Sequence, residues 1–277
     1  DPILLAANDT LGGLQILAGG YLNFNSQLLI IHPATYGNGL EDQSGTSNYT
    51  GSTVVFSNTG WSTPVMGIPH FDNLMINTGA SATASLNSHI FISGTLTKNG
   101  GFDASTFDNT IEYNGASQTV VLPDGNKYSS LVLSGSGTKT LPTADLTMQN
   151  DFTLSGTAIV APTNALTVGG SFTLGSGTTF TAGSLTHTIG GDFINNGGTF
   201  TNTGSTISLN GVTEQTIGGS ASTTFNNLTM NNAAGATLGI SELVAGTLIL
   251  TNGILTTGTN TITLTGCTGT TITGYSS

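Results

Sequence analysis

Few side chains in this sequence have the types and spacing that catalysis requires. The 277 residues include 14 acidic side chains, and paired carboxylates serve glycoside hydrolases as acid, base and nucleophile. Asp103 and Asp108 are close in the chain, yet each follows a phenylalanine of the kind that anchors a core. Asp145 and Asp151 are expected on consecutive strands. We interpret both pairs as solvated turn residues, and we predict no catalytic residue.

The sequence also gives no support for a metal site or for a catalytic nucleophile. The four histidines lack the spacing of a metal site and are expected to be packed or surface side chains: His32, His70, His89 and His187. Asp124-Gly125-Asn126 is a turn signal with too little acid for a repeat calcium loop. Cys267, the single cysteine, cannot form an internal disulfide and is expected to be inert. The sequence predicts a protein that is not an enzyme and that uses neither metal nor cofactor.

The charge balance excludes further classes of function. The formal net charge is −11, and charged residues make up 6% of the chain, against roughly 25% in ordinary soluble domains. The only basic residues are Lys98, Lys127 and Lys139. Such a chain cannot neutralise phosphates, so nucleic acid is excluded as a partner. No apolar run approaches the roughly 18 residues of a membrane span. The composition suits an extracellular or cell-surface location.

Two regions carry candidate ligand or partner contacts. Trp61 is the only tryptophan, and an aromatic ring at a loop tip can stack on a sugar, although capping the coils or packing beneath the loop is the favoured interpretation. Segment 32–52 is predicted to project as a loop, because the stretch from Gly20 to Thr53 is far longer than its counterparts in the other modules. Loops on rigid scaffolds often carry recognition. The candidates in this loop are Tyr36, Glu41, Asp42 and Tyr49.

The apolar start of the chain is a candidate assembly arm. Ile3, Leu4 and Leu5 form a short apolar run that lacks the basic flank of a signal peptide. We expect this run to dock on a neighbouring subunit and to favour a filament.

Internal repeats predict the elements that position these residues. Three aligned segments begin at Thr53, Thr110 and Thr206. Each is followed, at a nearly constant distance, by an aromatic residue, two spacers and leucine; the aromatic residues are Phe71, Tyr128 and Phe225, and the leucines are Leu74, Leu131 and Leu228. A third anchor follows at a similar distance and contains Leu96, Phe152 or Leu248.

The underlying unit has about 20 residues, a period typical of solenoid repeats. The third anchor recurs at Phe172 and Phe193, at steps of one unit each, which indicates two extra units in the second module. Apolar residues alternate with threonine, a period of two that is typical of strands. We predict an all-β fold, a parallel β-solenoid (right-handed β-helix) with coils of about 20 residues and stacked apolar columns inside. An antiparallel sandwich is the alternative.

The repeats also predict the domain organisation. Residues 1–52 form N-terminal coils with the projecting loop at 32–52, residues 53–109 the first module and residues 110–205 the second module with its two extra coils. The last two ranges are 206–260, the third module, and 261–277, the start of a further module. The chain stops inside that module, which predicts a fragment of a longer array.

Three motifs follow one another in the repeats: Gln118-Thr119-Val120 or Gln215-Thr216-Ile217, then Tyr128 to Leu131 or Phe225 to Leu228, then Gly246 to Gly253. In this order they resemble the repeats of secreted Bacteroidetes surface proteins, a class of large β-strand-repeat, adhesin-like proteins. This resemblance covers roughly residues 53–277. The resemblance implies export to the cell exterior and a β-repeat fold.

We expect a non-enzymatic extracellular structural protein, either the stalk of a cell-surface adhesin or the subunit of an extracellular filament. Its partners would be further copies of itself or surface glycans. The alternative is a β-solenoid that binds carbohydrate or ice surfaces through a flat threonine face, with triplets at 261–263, 263–265 and 271–273. A polysaccharide-degrading enzyme is the least favoured hypothesis.

Overall fold

The computed structural model describes residues 3–4, 9–32, 39–60, 62–266 and 271–273, with the backbone alone at 3–4, 9 and 271–273. The chain divides into two compact units, Asp1–Val132 (unit 1) and Leu133–Ser277 (unit 2). Parallel strands with essentially no helix form about 12 coils of about 20 residues. The chain is therefore a β-solenoid, and each unit is described by itself.

Short strands make up unit 1, because turn residues interrupt the apolar alternation every few positions. Its strands are β1 (Ile3–Leu4), β2 (Asp9–Leu11), β3 (Leu14–Ile16), β4 (Leu22–Asn23), β5 (Leu28–Ile31), β6 (Leu40–Asp42), β7 (Thr53–Phe56), β8 (Ser62–Gly67), β9 (His70–Phe71), β10 (Asn73–Ile76), β11 (Ser81–Ala84), β12 (His89–Ile92), β13 (Leu96–Lys98), β14 (Gly101–Asp103), β15 (Thr110–Tyr113), β16 (Gln118–Thr119), β17 (Lys127–Tyr128) and β18 (Ser130–Leu133), whose last residue belongs to unit 2. The predicted turn is present as a 3₁₀ turn at Asp124–Asn126.

Unit 2 is built in the same way. Its strands are β19 (Ser136–Thr140), β20 (Leu146–Met148), β21 (Phe152–Leu154), β22 (Thr157–Val160), β23 (Leu166–Val168), β24 (Phe172–Leu174), β25 (Thr179–Thr181), β26 (Thr186–Ile189), β27 (Phe193–Asn195), β28 (Thr199–Thr201), β29 (Thr206–Leu209), β30 (Gln215–Gly219), β31 (Thr224–Phe225), β32 (Asn227–Asn231), β33 (Ala236–Leu238), β34 (Glu242–Val244), β35 (Thr247–Asn252), β36 (Leu255–Thr256), β37 (Ile262–Leu264) and β38 (Thr271–Thr273).

In unit 1, strands of successive coils pair in parallel and stack like residues on like. One sheet has the order β2-β5-β7-β10-β13 and a second has the order β3-β6-β8-β11-β14. A third contains β9, β12 and β15. Leu29, Val54 and Leu74 are in register across the first sheet and are at most 1% exposed. These inward side chains form a continuous apolar column.

Unit 2 contains the same kind of column in its phenylalanines. Phe152 pairs with Phe172, and Phe172 pairs with Phe193, in the sheet that continues through β30, β33 and β36. All three rings are buried, and neighbouring rings are 5.3–5.7 Å apart between centroids. The recurring anchor residues therefore lie in register on β21, β24 and β27, and the division of the chain into modules stays a prediction.

The burial of the repeat anchors confirms the solenoid and rejects the antiparallel sandwich. Phe71, Tyr128 and Phe225 are all 0% exposed. Their partner leucines are equally buried, and the described strand pairings are parallel. Stacking in register requires parallel coils, because each residue then meets its equivalent one coil later. The right-handed sense of the coils stays a prediction.

The prediction that segment 32–52 projects as a loop is wrong for residues 39–52, which the structure describes. Leu40–Asp42 is strand β6, which pairs with both β3 and β8. Leu29 is the register partner of Val54 in the next coil, so the intervening chain completes one turn of the solenoid. The excess length that suggested a loop is close to one coil, and strand Leu40–Asp42 within it extends the sheet. Residues 33–38 lie outside the described residues.

Candidate functional site

A groove of about 210 Å³ lies on the surface of unit 1 and crosses successive coils. It runs beside β9 and β12, whose alternating residues point inward and outward. Phe71 and Ile92 are buried, so their neighbours His70 and Phe91 face out. The lining residues are Ser47, Asn48, Tyr49, Thr50, His70, Phe71, Phe91, Ser93 and Asn114.

Stacked rings form one wall of this groove. The His70 imidazole lies on the Phe91 ring with centroids 4.0 Å apart and an interplanar angle of 8°. The His89 ring stacks on Phe91 as well, at 4.0 Å and 19°. His89 Nε2 is 2.8 Å from Glu112 Oε2, which fixes the orientation of that imidazole. The wall is therefore a preorganised set of planar groups.

An unused hydrogen-bond acceptor belongs to the same groove. The backbone N–H of Asn114 donates to the Ile92 carbonyl at 3.0 Å, which holds the residue at the end of β15. Its side-chain Oδ1 is buried and has no hydrogen-bond partner among the described residues. A buried acceptor without a donor is destabilising, so such an atom indicates a missing partner. Asn48 and Ser93 add polar groups nearby.

The electrostatics of the groove are mildly acidic. Burial lowers the pKa of His70, the charges of Asp42 and Glu112 oppose this shift, and His89 adds to it. A lowered pKa keeps His70 uncharged at neutral pH. No lysine is among the lining residues of this groove in the described part of unit 1. The arrangement favours an uncharged polar ligand over an anion.

The structure buries Asp42 and Tyr49, so the prediction that they project from a loop is wrong, and Tyr49 instead borders the groove. They are 0% and 2% exposed, and the Tyr49 hydroxyl donates to Asp42 Oδ2 at 2.9 Å. Burial raises the pKa of Tyr49 well above its ordinary value, and the Asp42 carboxylate raises it further. The two side chains satisfy each other's hydrogen-bonding groups inside the coil. This explains how Asp42 can occupy a buried position in strand β6.

Glu41 is half-exposed, and it points to the side of β6 opposite to Asp42. It borders a separate, open hollow of about 490 Å³. Its carboxylate accepts a hydrogen bond from the Gln15 side chain at 2.6 Å. Glu41 therefore belongs to a different surface from the groove.

The remaining candidates are not described at the level of side chains. Tyr36 and Trp61 lie outside the described residues, and so do Leu5 and Cys267. Ile3–Leu4 pairs in parallel with Leu22–Asn23, and no side-chain environment is described there. The assembly arm stays a prediction. Among the predicted contacts whose side chains are described, Asp42 and Tyr49 contact each other, whereas Glu41 lies on a different surface.

Of the carboxylates considered for hydrolysis, Asp103 and Asp151 make local turn and coil contacts. Burial alone raises the pKa of Asp103, but hydrogen bonds from Ser105 and Thr106 outweigh it and lower the pKa. Asp151 accepts from the Ser171 backbone at 2.8 Å in the next coil. Phe107 is 45% exposed, so its expected role as a core anchor is wrong. Across the described part of the chain, no three metal-ligating side chains lie together.

Unit 2 carries an array of hydroxyl groups on the outward side of the sheet that includes β20, β23, β26, β29 and β32. One row, in register from coil to coil, contains Thr147, Thr167, Thr188, Ser208 and Thr229. A second row contains Thr186, Thr206 and Asn227. The rows are about 6.6 Å apart along the strand, with about 4.8 Å between coils. None of these side chains is charged.

The threonine triplets named from the sequence do not share a face. Ile262–Leu264 pairs with β34, whereas Thr271–Thr273 pairs with β35 in a different sheet. The array on β20 to β32 was missed because its threonines lie a full coil apart in the chain. Their spacing becomes meaningful only once the coil length is known. The groove in unit 1 was missed for the same reason.

The fold defines the class of protein as a β-solenoid repeat protein. Comparisons with protein-family models, curated proteins and solved structures find no match. Within the described ranges, no helix has the length and apolar character needed to cross a membrane.

Proposed function

We propose that this chain is a non-enzymatic extracellular structural protein, the stalk of a cell-surface adhesin or the subunit of an extracellular filament. The observation that carries the proposal is the in-register stacking within each unit, exemplified by Phe152, Phe172 and Phe193. Within each unit, successive coils are hydrogen-bonded along several sheets. A structure of this kind resists local opening, because unpairing one coil breaks many bonds together.

The surface chemistry supports the same proposal. The charged fraction of 6% leaves few ion pairs to be weakened by salt outside the cell. The carboxylates of Asp103, Asp151 and Asp42 accept hydrogen bonds within a turn, from the next coil and from the buried Tyr49 hydroxyl, respectively. A scaffold role needs none of these groups for chemistry.

Limited proteolysis combined with negative-stain microscopy tests this proposal. We expect a broad-specificity protease to leave the described coils uncut, and the purified material to form either isolated particles, as for a stalk, or continuous fibres, as for a filament subunit. Rapid cleavage inside β20 to β30 would contradict a load-resistant scaffold. Release of reducing ends from a polysaccharide panel would contradict the non-enzymatic assignment.

The hydroxyl array of unit 2 favours a second candidate function, the binding of an ordered surface such as ice or crystalline polysaccharide. Two rows of uncharged polar side chains on a paired sheet, most of them threonine, present hydroxyl and methyl groups at a fixed repeat. A periodic, uncharged surface is suited to a periodic solid, since each coil repeats the same contact. This candidate is compatible with a scaffold that carries one adhesive face.

A bulky substitution tests the second candidate. Thr188→Tyr interrupts the first row, whereas Thr153→Tyr places the same side chain on the sheet of β21 and serves as the control. We expect thermal hysteresis, or pull-down on crystalline cellulose or chitin, to fall only with Thr188→Tyr. An unmodified protein without either activity would remove this candidate.

A further inference from the structure

We propose that the groove of unit 1 binds one residue of an uncharged saccharide, with Asn114, His70 and Phe91 as its contact side chains. Nothing in the scaffold role requires such a site, so the inference goes beyond the proposed function. Binding here would let a stalk adhere along its side.

The volume limits the size of the ligand. At about 210 Å³ the groove is much larger than a water site and smaller than the roughly 300–1,000 Å³ of pockets for drug-sized ligands. A single sugar ring is of this order. The remainder of an oligosaccharide would extend into solvent from the open side.

The chemistry of the lining matches a polyol. Asn114 Oδ1 is a buried acceptor that lacks a donor, and a sugar hydroxyl supplies one. Asn48 and Ser93 also line the groove, and both already make hydrogen bonds within the protein, so their orientations are fixed. His70 and His89 cover the two faces of the Phe91 ring, so the stack presents an apolar ring edge to the C–H groups of the sugar.

Other ligand classes fit less well. An anionic sugar or phosphate would meet Asp42 and Glu112 near His70, with no lysine in the lining. A strand-forming peptide has no free edge here, because β12 already pairs with β9 on one side and β15 on the other. The described residues also offer no three-ligand cluster for a metal.

Calorimetric titration of the full chain with a panel of neutral mono- and oligosaccharides tests the proposal. We expect at least one sugar to bind, and Asn114→Ala to weaken its binding by about tenfold or more. The same variant should keep or raise the thermal midpoint, because it removes a buried acceptor without a donor. His70→Ala should also weaken binding.

Asn210→Ala is the matched control. Asn210 also follows a strand, its backbone N–H donates to the Ile189 carbonyl at 3.0 Å, and its side chain is exposed in unit 2. This variant should bind as the unmodified chain does. No binding by any neutral sugar, or equal binding by Asn114→Ala, would overturn the proposal. Either result leaves the scaffold role intact, since proteolysis and microscopy test that separately.

Discussion

His70 and Phe91 lie face to face on the outside of unit 1, although they come from different coils of the chain. They are direct partners in the register of β9 and β12. Side chains that are partners in the register thus stack on the outer surface as well as in the core. In this case the outer stack also forms the wall of a groove. The register between β9 and β12 therefore determines both how the rings pack and which side chains line the groove.

The outer ring stack should contribute measurably to stability. Phe91→Ala removes two stacked ring contacts, and we expect a loss of about 1–2 kcal/mol in the free energy of unfolding. Phe107→Ala is the control, since Phe107 is 45% exposed. Its loss should stay below about 0.5 kcal/mol. Urea denaturation of both variants measures the difference, and equal losses would show that the stack contributes nothing specific.

His187 should make unit 2 sensitive to acid. It occupies an inward position between Leu166 and Ile207, and its Nδ1 accepts from the Leu166 N–H at 3.2 Å while Nε2 lies 2.8 Å from the Ala182 carbonyl. Burial lowers its pKa below the ordinary 6.5, and the Ala182 hydrogen bond opposes the shift only partly. Folding therefore favours the neutral ring. Stability is complete above pH 6.5 and falls as the pH drops through the folded-state pKa.

Chemical denaturation at about pH 7.5 and about pH 5.5, on either side of the ordinary histidine pKa, measures this effect. His187→Leu should be less stable at the higher pH, because the Leu166 and Ala182 backbone groups lose a partner, but should lose less on acidification. His32→Gln, at an exposed position, should retain the acid sensitivity of the unmodified chain. An unchanged pH dependence in His187→Leu would assign the effect to another group.

Glu242 should have the opposite pH dependence. Its side chain is 1% exposed, Oε2 accepts from the Thr223 N–H, and Oε1 has no partner among the described residues. Burial raises its pKa from 4.5 to about 7, with the Thr223 hydrogen bond acting against the rise. The folded chain thus favours the protonated acid. Stability is greatest below pH 4.5 and declines as the pH rises to about 7.

Glu242→Gln should remove this decline. At ~1.4 kcal/mol per pKa unit, and after allowance for solvent screening, we expect the variant to gain about 1–2 kcal/mol at about pH 8. Near pH 4.5 it should match the unmodified chain. Glu214→Gln, at an exposed position, is the control and should show no gain. Lower stability of Glu242→Gln in alkaline solution would mean that the carboxylate is needed in its charged form.

Glycine at position 190 should be essential to the coil spacing. A Cβ there would collide with the Gly169 carbonyl of the preceding coil. Gly190→Ala should therefore destabilise unit 2 by about 1–3 kcal/mol. Gly60→Ala meets nothing closer than 3.8 Å and should change stability little. Thermal unfolding of the two variants tests this prediction. Equal midpoints would show that the backbone can move enough at this corner to accommodate the added Cβ.

Part of the candidate site could be predicted from the sequence and part could not. The alternation of His89, Ile90 and Phe91 predicts that two of these residues share a face. Nothing local predicts that Asn114 and His70 border the same groove, because their approach depends on the lengths of the coils in between. Asp42 and Tyr49 were wrongly predicted to lie in an exposed loop for a related reason. Polar residues suggest a loop when only the sequence is considered, whereas these two are buried and hydrogen-bonded to each other.

The sequence by itself determined the parallel solenoid and its coil length, because period-two alternation and recurring aromatic and leucine anchors leave few ways to bury those side chains. The tertiary structure determined which polar residues from different coils come into contact. Hydrogen bonds and ring contacts act over a few ångströms between coils, and small changes in coil length shift which side chains become neighbours. The groove at Asn114 and the threonine rows of unit 2 are consequences of that register.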